Sequence, residues 1–245
     1  MQIHHLDCAP VRPYFPPVAS STVCTLLRAE GELILIDTGF GTQDFAAPSL
    51  KIRLFTTLMR SRRDPAQSAR HRIAALGYRP EDVGHILVTH LHLDHSGGLP
   101  DFPAASVHVT RAEYEAALNP RGMRRLFYAQ AHWKHGPRWR IHESFAPQAW
   151  FGFDAIQVRE IQSARVVMVS LPGHSPGHVG VAVQTPGAWL FHCGDALPFG
   201  GLESPAPDSI SQAVCGPHIG RIRGLAEEHA GEVEVVSSHG PPRAG

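Results

Sequence analysis

Residues 84–98 read GHILVTHLHLDHSGG, and everything else in the chain is organised around this stretch. Its first part, 84–89, is a short apolar run that predicts a buried strand. The strand delivers the chain into His90-Leu91-His92-Leu93-Asp94-His95. On an extended segment, residues at i and i+2 face the same way, so His90 and His92 can point at one cation. In a tight turn that follows, Asp94 and His95 can reach a second. Imidazole nitrogen and carboxylate oxygen together suit zinc, or manganese or iron where oxygen dominates.

One such run does not close two metal sites, because a catalytic zinc keeps about three protein ligands besides its water. Three later loops offer candidates, each just past an apolar run: Pro172-Gly173-His174-Ser175-Pro176-Gly177-His178, His192-Cys193-Gly194-Asp195, and Ser237-Ser238-His239-Gly240. His178, four residues after His174, is open between orienting a ligand or the substrate and simply starting a strand. The remaining histidines of the 17 in the chain, among them His85, His108, His132 and His142, fit no motif and are expected at the surface or in packing.

Further out, 22–29 and 32–37 read as two strands joined by a Glu30-Gly31 hairpin turn. The second strand runs into the Gly-rich loop Asp37-Thr38-Gly39-Phe40-Gly41. Residues 48–63 and 65–76 read as helices, 106–109 as a strand, and 110–118 as a helix with Thr110 as N-cap and Glu113 at the capping-box position. Residues 119–153 read as irregular, aromatic and basic. Strands return at 155–161, 165–171, 179–184, 188–192 and 232–237, with a helix at 217–230. No repeat or low-complexity linker divides the chain, so residues 1–245 read as a single α/β domain, two sheets face to face with helices outside.

Composition narrows the class. The 22 Lys+Arg balance 22 Asp+Glu, whereas a general nucleic-acid binder carries a basic excess. The four cysteines lack CxxC spacing, which fits a reduced compartment and gives no thiolate zinc site. The first residues show no basic-then-apolar leader, and no apolar run approaches about 18 residues. A cytoplasmic protein with a small-molecule substrate, no nucleic-acid or membrane partner, and a monomeric or homodimeric state is expected.

The Asp37-Thr38-Gly39 loop, the HLHLDH run, the Pro172-Gly173-His174 turn, Gly194-Asp195 and His239, in that order, resemble the metallo-β-lactamase-fold hydrolase superfamily. The resemblance implies a four-layer αβ/βα sandwich with the site at one edge. It implies that His90, His92 and His174 hold a first divalent ion, that Asp94, His95 and His239 hold a second, and that Asp195 bridges them. Zinc is the expected metal, with iron or manganese as alternatives, and Asp37 would orient the ligands. Such a pair of ions activates a water whose hydroxide attacks a lactone or ester carbonyl, with Asp94 and Asp195 as the catalytic carboxylates.

Within that superfamily the stretches His90–Gly98, Arg111–Leu118 and Pro172–His178 are most similar to N-acyl homoserine lactonases. Pro198 stands where those enzymes carry a tyrosine, and His239-Gly240-Pro241 departs from their His-Asp ending. Acyl homoserine lactones are therefore expected to be poor substrates, with Tyr128 the expected stand-in for the missing hydroxyl. Segments 40–63 and 119–153 are expected to form the lid and substrate wall, with Tyr128, Trp133 and Phe199 against the substrate. The alternatives are a glyoxalase II-like thioester hydrolase, whose C-terminal helical region has no counterpart in Gly240–Gly245, and a non-catalytic metal-binding protein.

Overall fold

The computed structural model describes residues 1–14 and 17–240; Pro241, read above as part of a departure from the lactonase ending, falls outside them. The first sheet comprises β1 (Gln2–Val11), β2 (Ser20–Ala29), β3 (Glu32–Ile36), β4 (Val83–Leu87), β5 (Ser106–Thr110) and β6 (Arg138–His142), in that spatial order. β1, β2 and β3 pair antiparallel, and β3 to β6 run parallel. The second sheet has the order β12 (Val233–Val236), β11 (Ala188–His192), β10 (Val179–Thr185), β9 (Val166–Ser170), β8 (Phe153–Gln157), β7 (Ala146–Trp150). There β11 and β12 pair parallel and the others antiparallel.

Alternation along the strands builds four layers. In β3, Ile34 and Ile36 face the second sheet, joining Leu27, Leu87, Met168, Val181, Val183 and Leu190 in a core between the sheets. Leu33 and Leu35 face the other way and pack with Val107, Val109 and Ile73. Ile73 lies on α3 (Ala69–Ala75). On the far side of the second sheet, Val167, Val169 and Phe191 pack against Ile219, Ile222 and Leu225 of α7 (Ile219–Glu228). A strand covered on both faces loses the polar alternation, which is why 32–37 reads as nearly all apolar. The outcome is the αβ/βα sandwich expected of the chain.

Several local expectations change. The helix expected over 48–63 shortens to α2 (Leu50–Leu58), capped by the Ser49 side chain on Ile52 N–H. Residues 65–76 split at Ser68 into a 3₁₀ turn and α3, because the Ser68 side chain caps the second piece at His71 N–H. β6 and β7 fall within 119–153, read as irregular. β1, α1 (Thr42–Ala46) and α6 (Asp208–Cys215) carry no sequence expectation. Among the described residues no helix is long and apolar enough to cross a membrane.

Candidate metal centre

Ligands in α/β folds bind beyond the carboxyl ends of the strands, and the loops after β3, β4, β9, β11 and β12 all converge there. Asp37, immediately after β3, has a left-handed φ of 57° and is fully buried. Its carboxylate accepts the Thr89 N–H at 2.7 Å and the Thr89 hydroxyl at 2.8 Å. It also accepts from His95 Nδ1 at 2.9 Å, which leaves Nε2 as the free face of that ring. His92, in extended conformation, is the N-cap of α4 (Leu93–Ser96). Asp94 and His95 thus sit on a helical turn and project differently from His90 and His92.

Three ligand groups result. One nitrogen each of His90, His92 and His174 lie within 4.8 Å of one another, as do ligand atoms of Asp94, His95 and His239, and of His90, His95 and Asp195. His92 Nδ1 and His174 Nε2 are 3.0 Å apart. Asp195 stands between the groups: Oδ2 is 3.4 Å from His174 Nε2 and 3.3 Å from His239 Nε2, and Oδ1 is 3.4 Å from His95 Nε2. His90 Nε2, His95 Nε2 and Asp195 Oδ1 are buried without a hydrogen-bond partner. Buried polar atoms are rarely left so, and a shared cation satisfies all three, so the donor set fits divalent metal.

The electrostatics divide the histidines. Burial, then the neighbouring imidazoles, hold His90 and His92 well below their usual range. Burial also opposes charge on His95, but Asp195, Asp94 and Asp37 outweigh it and raise that ring. His239 is likewise raised to about 9 against its burial, by Asp195 and Asp94. Asp195 resists the cost of burial because His239, His95 and His174 surround it, and its carboxyl is held well below the usual range. His95 and His239 would have to release these protons before they could hold a cation.

His178 packs behind Asp195. Its Nδ1 donates to the Leu171 carbonyl at 3.2 Å, and its Nε2 accepts the Asp195 N–H at 3.0 Å. Burial first, and His174 next, push it down to about 3, the neutral form this pattern requires. Gly194, at a φ of +59°, lies so near that a Cβ would stand 2.5 Å from that Nε2. On the strand before it, His192 Nε2 donates to the Val23 carbonyl at 3.1 Å. The Cys193 thiol is buried, and desolvation pushes its pKa up.

Glu113, on α5 (Arg111–Leu118), is the residue the sequence reading missed. Thr110 accepts the Glu113 N–H as expected of an N-cap, but the carboxylate turns inward instead of completing a capping box. Oε1 accepts from Leu91 N–H at 3.0 Å and from the Tyr128 hydroxyl at 2.9 Å. Oε2 accepts from the Ser175 hydroxyl at 2.6 Å and Gly177 N–H at 3.1 Å. One carboxylate therefore ties the loop carrying His90 and His92 to the loop carrying His174. Gly177 is required there, because a Cβ would collide with the backbone nitrogen of Glu113.

A cavity of about 520 Å³ opens over His92, Asp94, His174, Asp195 and His239. Its walls are Phe55 and Met59 from 40–63, Arg124 and Phe127 from 119–153, Leu197–Phe199, and Ile210, Ala213 and Val214 of α6. Lys51 Nζ holds the first two walls together by donating to the Arg125 and Tyr128 carbonyls, both at 2.6 Å. Of the residues expected against substrate, Phe199 lines the cavity. Tyr128 and Trp133 do not: they pack in the core outside the first sheet, and the Tyr128 hydroxyl is committed to Glu113. Ile210 and Val214, spaced i and i+4 with Ala213 between, are the signal that could have revealed α6.

The sequence profile of the Metallo-beta-lactamase superfamily matches residues 18–239. A probable metallo-hydrolase of Mycobacterium tuberculosis is 38% identical over 200 residues, covering 80% of this chain and 63% of that protein. The N-acyl homoserine lactonase AttM of Agrobacterium fabrum is 28% identical over 183 residues, 73% of this chain and 66% of that protein. The chain thus spans less than two thirds of the length of either relative. Among solved structures, a probable metal-dependent hydrolase from Staphylococcus aureus superposes with a TM-score of 0.69 at 16% identity, over 98% of this chain and 89% of that one. An N-acyl homoserine lactone hydrolase with the product N-hexanoyl-L-homoserine at its catalytic metal center gives a TM-score of 0.67 at 20% identity, over 95% and 91%. At these identities the superpositions speak for the fold.

Proposed function

The chain belongs to the metallo-beta-lactamase superfamily, and on that premise we propose that it is a hydrolase of lactones or small esters that works with two divalent metal ions, zinc being the first choice. The carrying observation is the pair of three-ligand groups joined through Asp195 at the floor of an apolar cavity. His90, His92 and His174 would hold one ion, Asp94, His95 and His239 the other, and Asp195 both. When bound, such ions supply a water ionised near neutral pH and Lewis acidity for the carbonyl oxygen.

The chain's own residues do the rest. Asp37 fixes the His95 ring through Nδ1. His178 holds the backbone of Asp195, and Glu113 fixes the spacing of the His90 and His174 loops. Asp94 offers a carboxylate oxygen at the cavity floor to accept the proton of the attacking water. Phe55, Phe127, Phe199 and Ile210 take the apolar part of the substrate and exclude water. A volume of about 520 Å³ falls within the range of small-molecule sites, roughly 300–1,000 Å³.

Pro198 lines the cavity and carries no donor, and no tyrosine lines it among the described residues. Arg124 is the cationic donor on that wall. Acyl homoserine lactones are therefore expected to turn over slowly beside simple γ-lactones and aryl esters. The test is a panel of those three substrates plus a glutathione thioester, run on zinc-loaded and chelator-treated protein with metal counted by elemental analysis. Ester or lactone hydrolysis that tracks two ions per chain supports the reading. Thioester turnover alone, or well under one ion per chain after loading, overturns it.

A further inference from the structure

Outside the candidate centre, three imidazoles form a row across neighbouring strands. His85 Nδ1 on β4 is 2.8 Å from His108 Nε2 on β5, and His108 Nδ1 is 3.0 Å from His142 Nε2 on β6. At one end Glu32 Oε1 lies 3.2 Å from His85 Nε2. At the other, one ligand atom each of His108, His142 and Glu160 lie within 4.8 Å of one another. Both His142 and Glu160 line a cleft of about 540 Å³. None of these residues takes part in the proposed hydrolysis.

Proton counting gives the row a direction. A carboxylate only accepts, and a neutral imidazole has one N–H. The Glu32 carboxylate, 3.2 Å from His85 Nε2, favours the proton of that ring on Nε2 and leaves Nδ1 to accept. His108 must then donate through Nε2 and present a lone pair at Nδ1. His108 is fully buried and flanked by two imidazoles, conditions that keep it neutral. This is the arrangement by which a carboxylate, acting through a histidine chain, sets the tautomer of a metal ligand.

We propose that His108, His142 and Glu160 form a second, separate binding site for a divalent transition-metal cation such as zinc, reached through the cleft that His142 and Glu160 line. The His108–His142 nitrogen spacing of 3.0 Å equals that between His92 and His174. Two imidazole nitrogens on one tetrahedral zinc, each bonded at about 2.0–2.1 Å, lie roughly 3.3 Å apart. The ion takes the place of the His142 proton between the two rings, that proton moving to Nδ1 of His142, with a shift of a few tenths of an ångström, and β6 is an edge strand that can give by that much. Two nitrogens and one carboxylate select a transition metal over magnesium or calcium. Glu160 lies in the connection between β8 and β9, so the ion clamps the β5–β6 edge of the first sheet to that connection of the second.

The experiment compares zinc content after metal removal, reloading and desalting in the wild type, Glu160→Gln and His142→Ala. The expected result is one zinc per chain fewer in each variant than in the wild type, with aryl-ester hydrolysis unchanged. This difference does not depend on how many ions the catalytic cavity holds. Zinc should also raise the Tm of the wild type more than that of Glu160→Gln, while the two unfold alike in chelator. Equal zinc content in wild type and Glu160→Gln overturns the proposal. Glu160 is exposed, so that variant decides the matter even if His142→Ala does not fold.

Discussion

The backbone N–H of Asp195 donates to Nε2 of His178 at 3.0 Å. The carboxylate that stands between the two ligand groups is thus held from behind by a ring that can accept only while neutral. His178→Gln should weaken metal retention by both groups together, because Asp195 is shared. Zinc affinity measured against a competing chelator checks this; a variant that loses one ion and keeps the other tightly would show that His178 does not act through Asp195.

The same ring predicts a pH effect with a definite sign. His178 titrates at about 3 in the fold against 6.5 for an ordinary histidine. As pH falls below about 6.5 the unfolded chain takes up a proton that the folded chain refuses. Stability is therefore undiminished above that pH and is lost progressively toward pH 3, by about 1 kcal/mol per pH unit from this residue. Urea unfolding in chelator at pH 7, 6 and 5 should show a shallower decline for His178→Gln than for the wild type. Parallel declines would remove His178 as the source.

Glu113→Gln keeps the shape but swaps an acceptor oxygen for an N–H donor facing groups that themselves donate. Leaving such donors unmatched should cost about 2–4 kcal/mol, read as a lower urea midpoint at unchanged slope. Tyr128→Phe removes one of the bonds to the same carboxylate and should cost about 1 kcal/mol. Its effect should fall on stability, with KM for small esters unmoved. A rise in KM in Tyr128→Phe would return the hydroxyl to the cavity.

Asp94→Asn should lose more activity than metal. The amide keeps the size of the carboxylate but cannot take up the proton of the attacking water, and removal of general-base assistance costs on the order of 10²-fold or more in kcat. Turnover per bound ion is the quantity to compare, and near-normal turnover at full metal content would discard the role given to Asp94.

Arg124→Ala tests the donor on the cavity wall. If Arg124 supplies the hydrogen bond that Pro198 cannot, kcat/KM for γ-lactones should fall on the order of 10-fold or more, the usual worth of a hydrogen bond to a charged group. An unchanged kcat/KM together with normal metal content would leave the lactone without a side-chain donor from that wall.

Local sequence determined the parts of this protein that lie along one short segment. The apolar runs of β3 and β10, and the Ile86–Leu87 end of β4, are visible because burial on both faces removes the polar alternation there. His90, His92, Asp94 and His95 are visible because they follow such a strand within one turn, and His174, Asp195 and His239 because each also follows a strand end. Only the tertiary structure decided what depends on two distant segments meeting. Glu113 reads as a helix-capping residue until the 172–178 loop is folded against it. Tyr128 reads as a pocket hydroxyl until Glu113 is found to bind it. His85, His108 and His142 fit no motif because their spacing runs across parallel strands, perpendicular to the chain. Periodicity records which face of an element is buried, whereas a buried polar group is satisfied by whichever donor or acceptor the fold brings within about 3 Å, and that neighbour is set by the order of strands in the sheet.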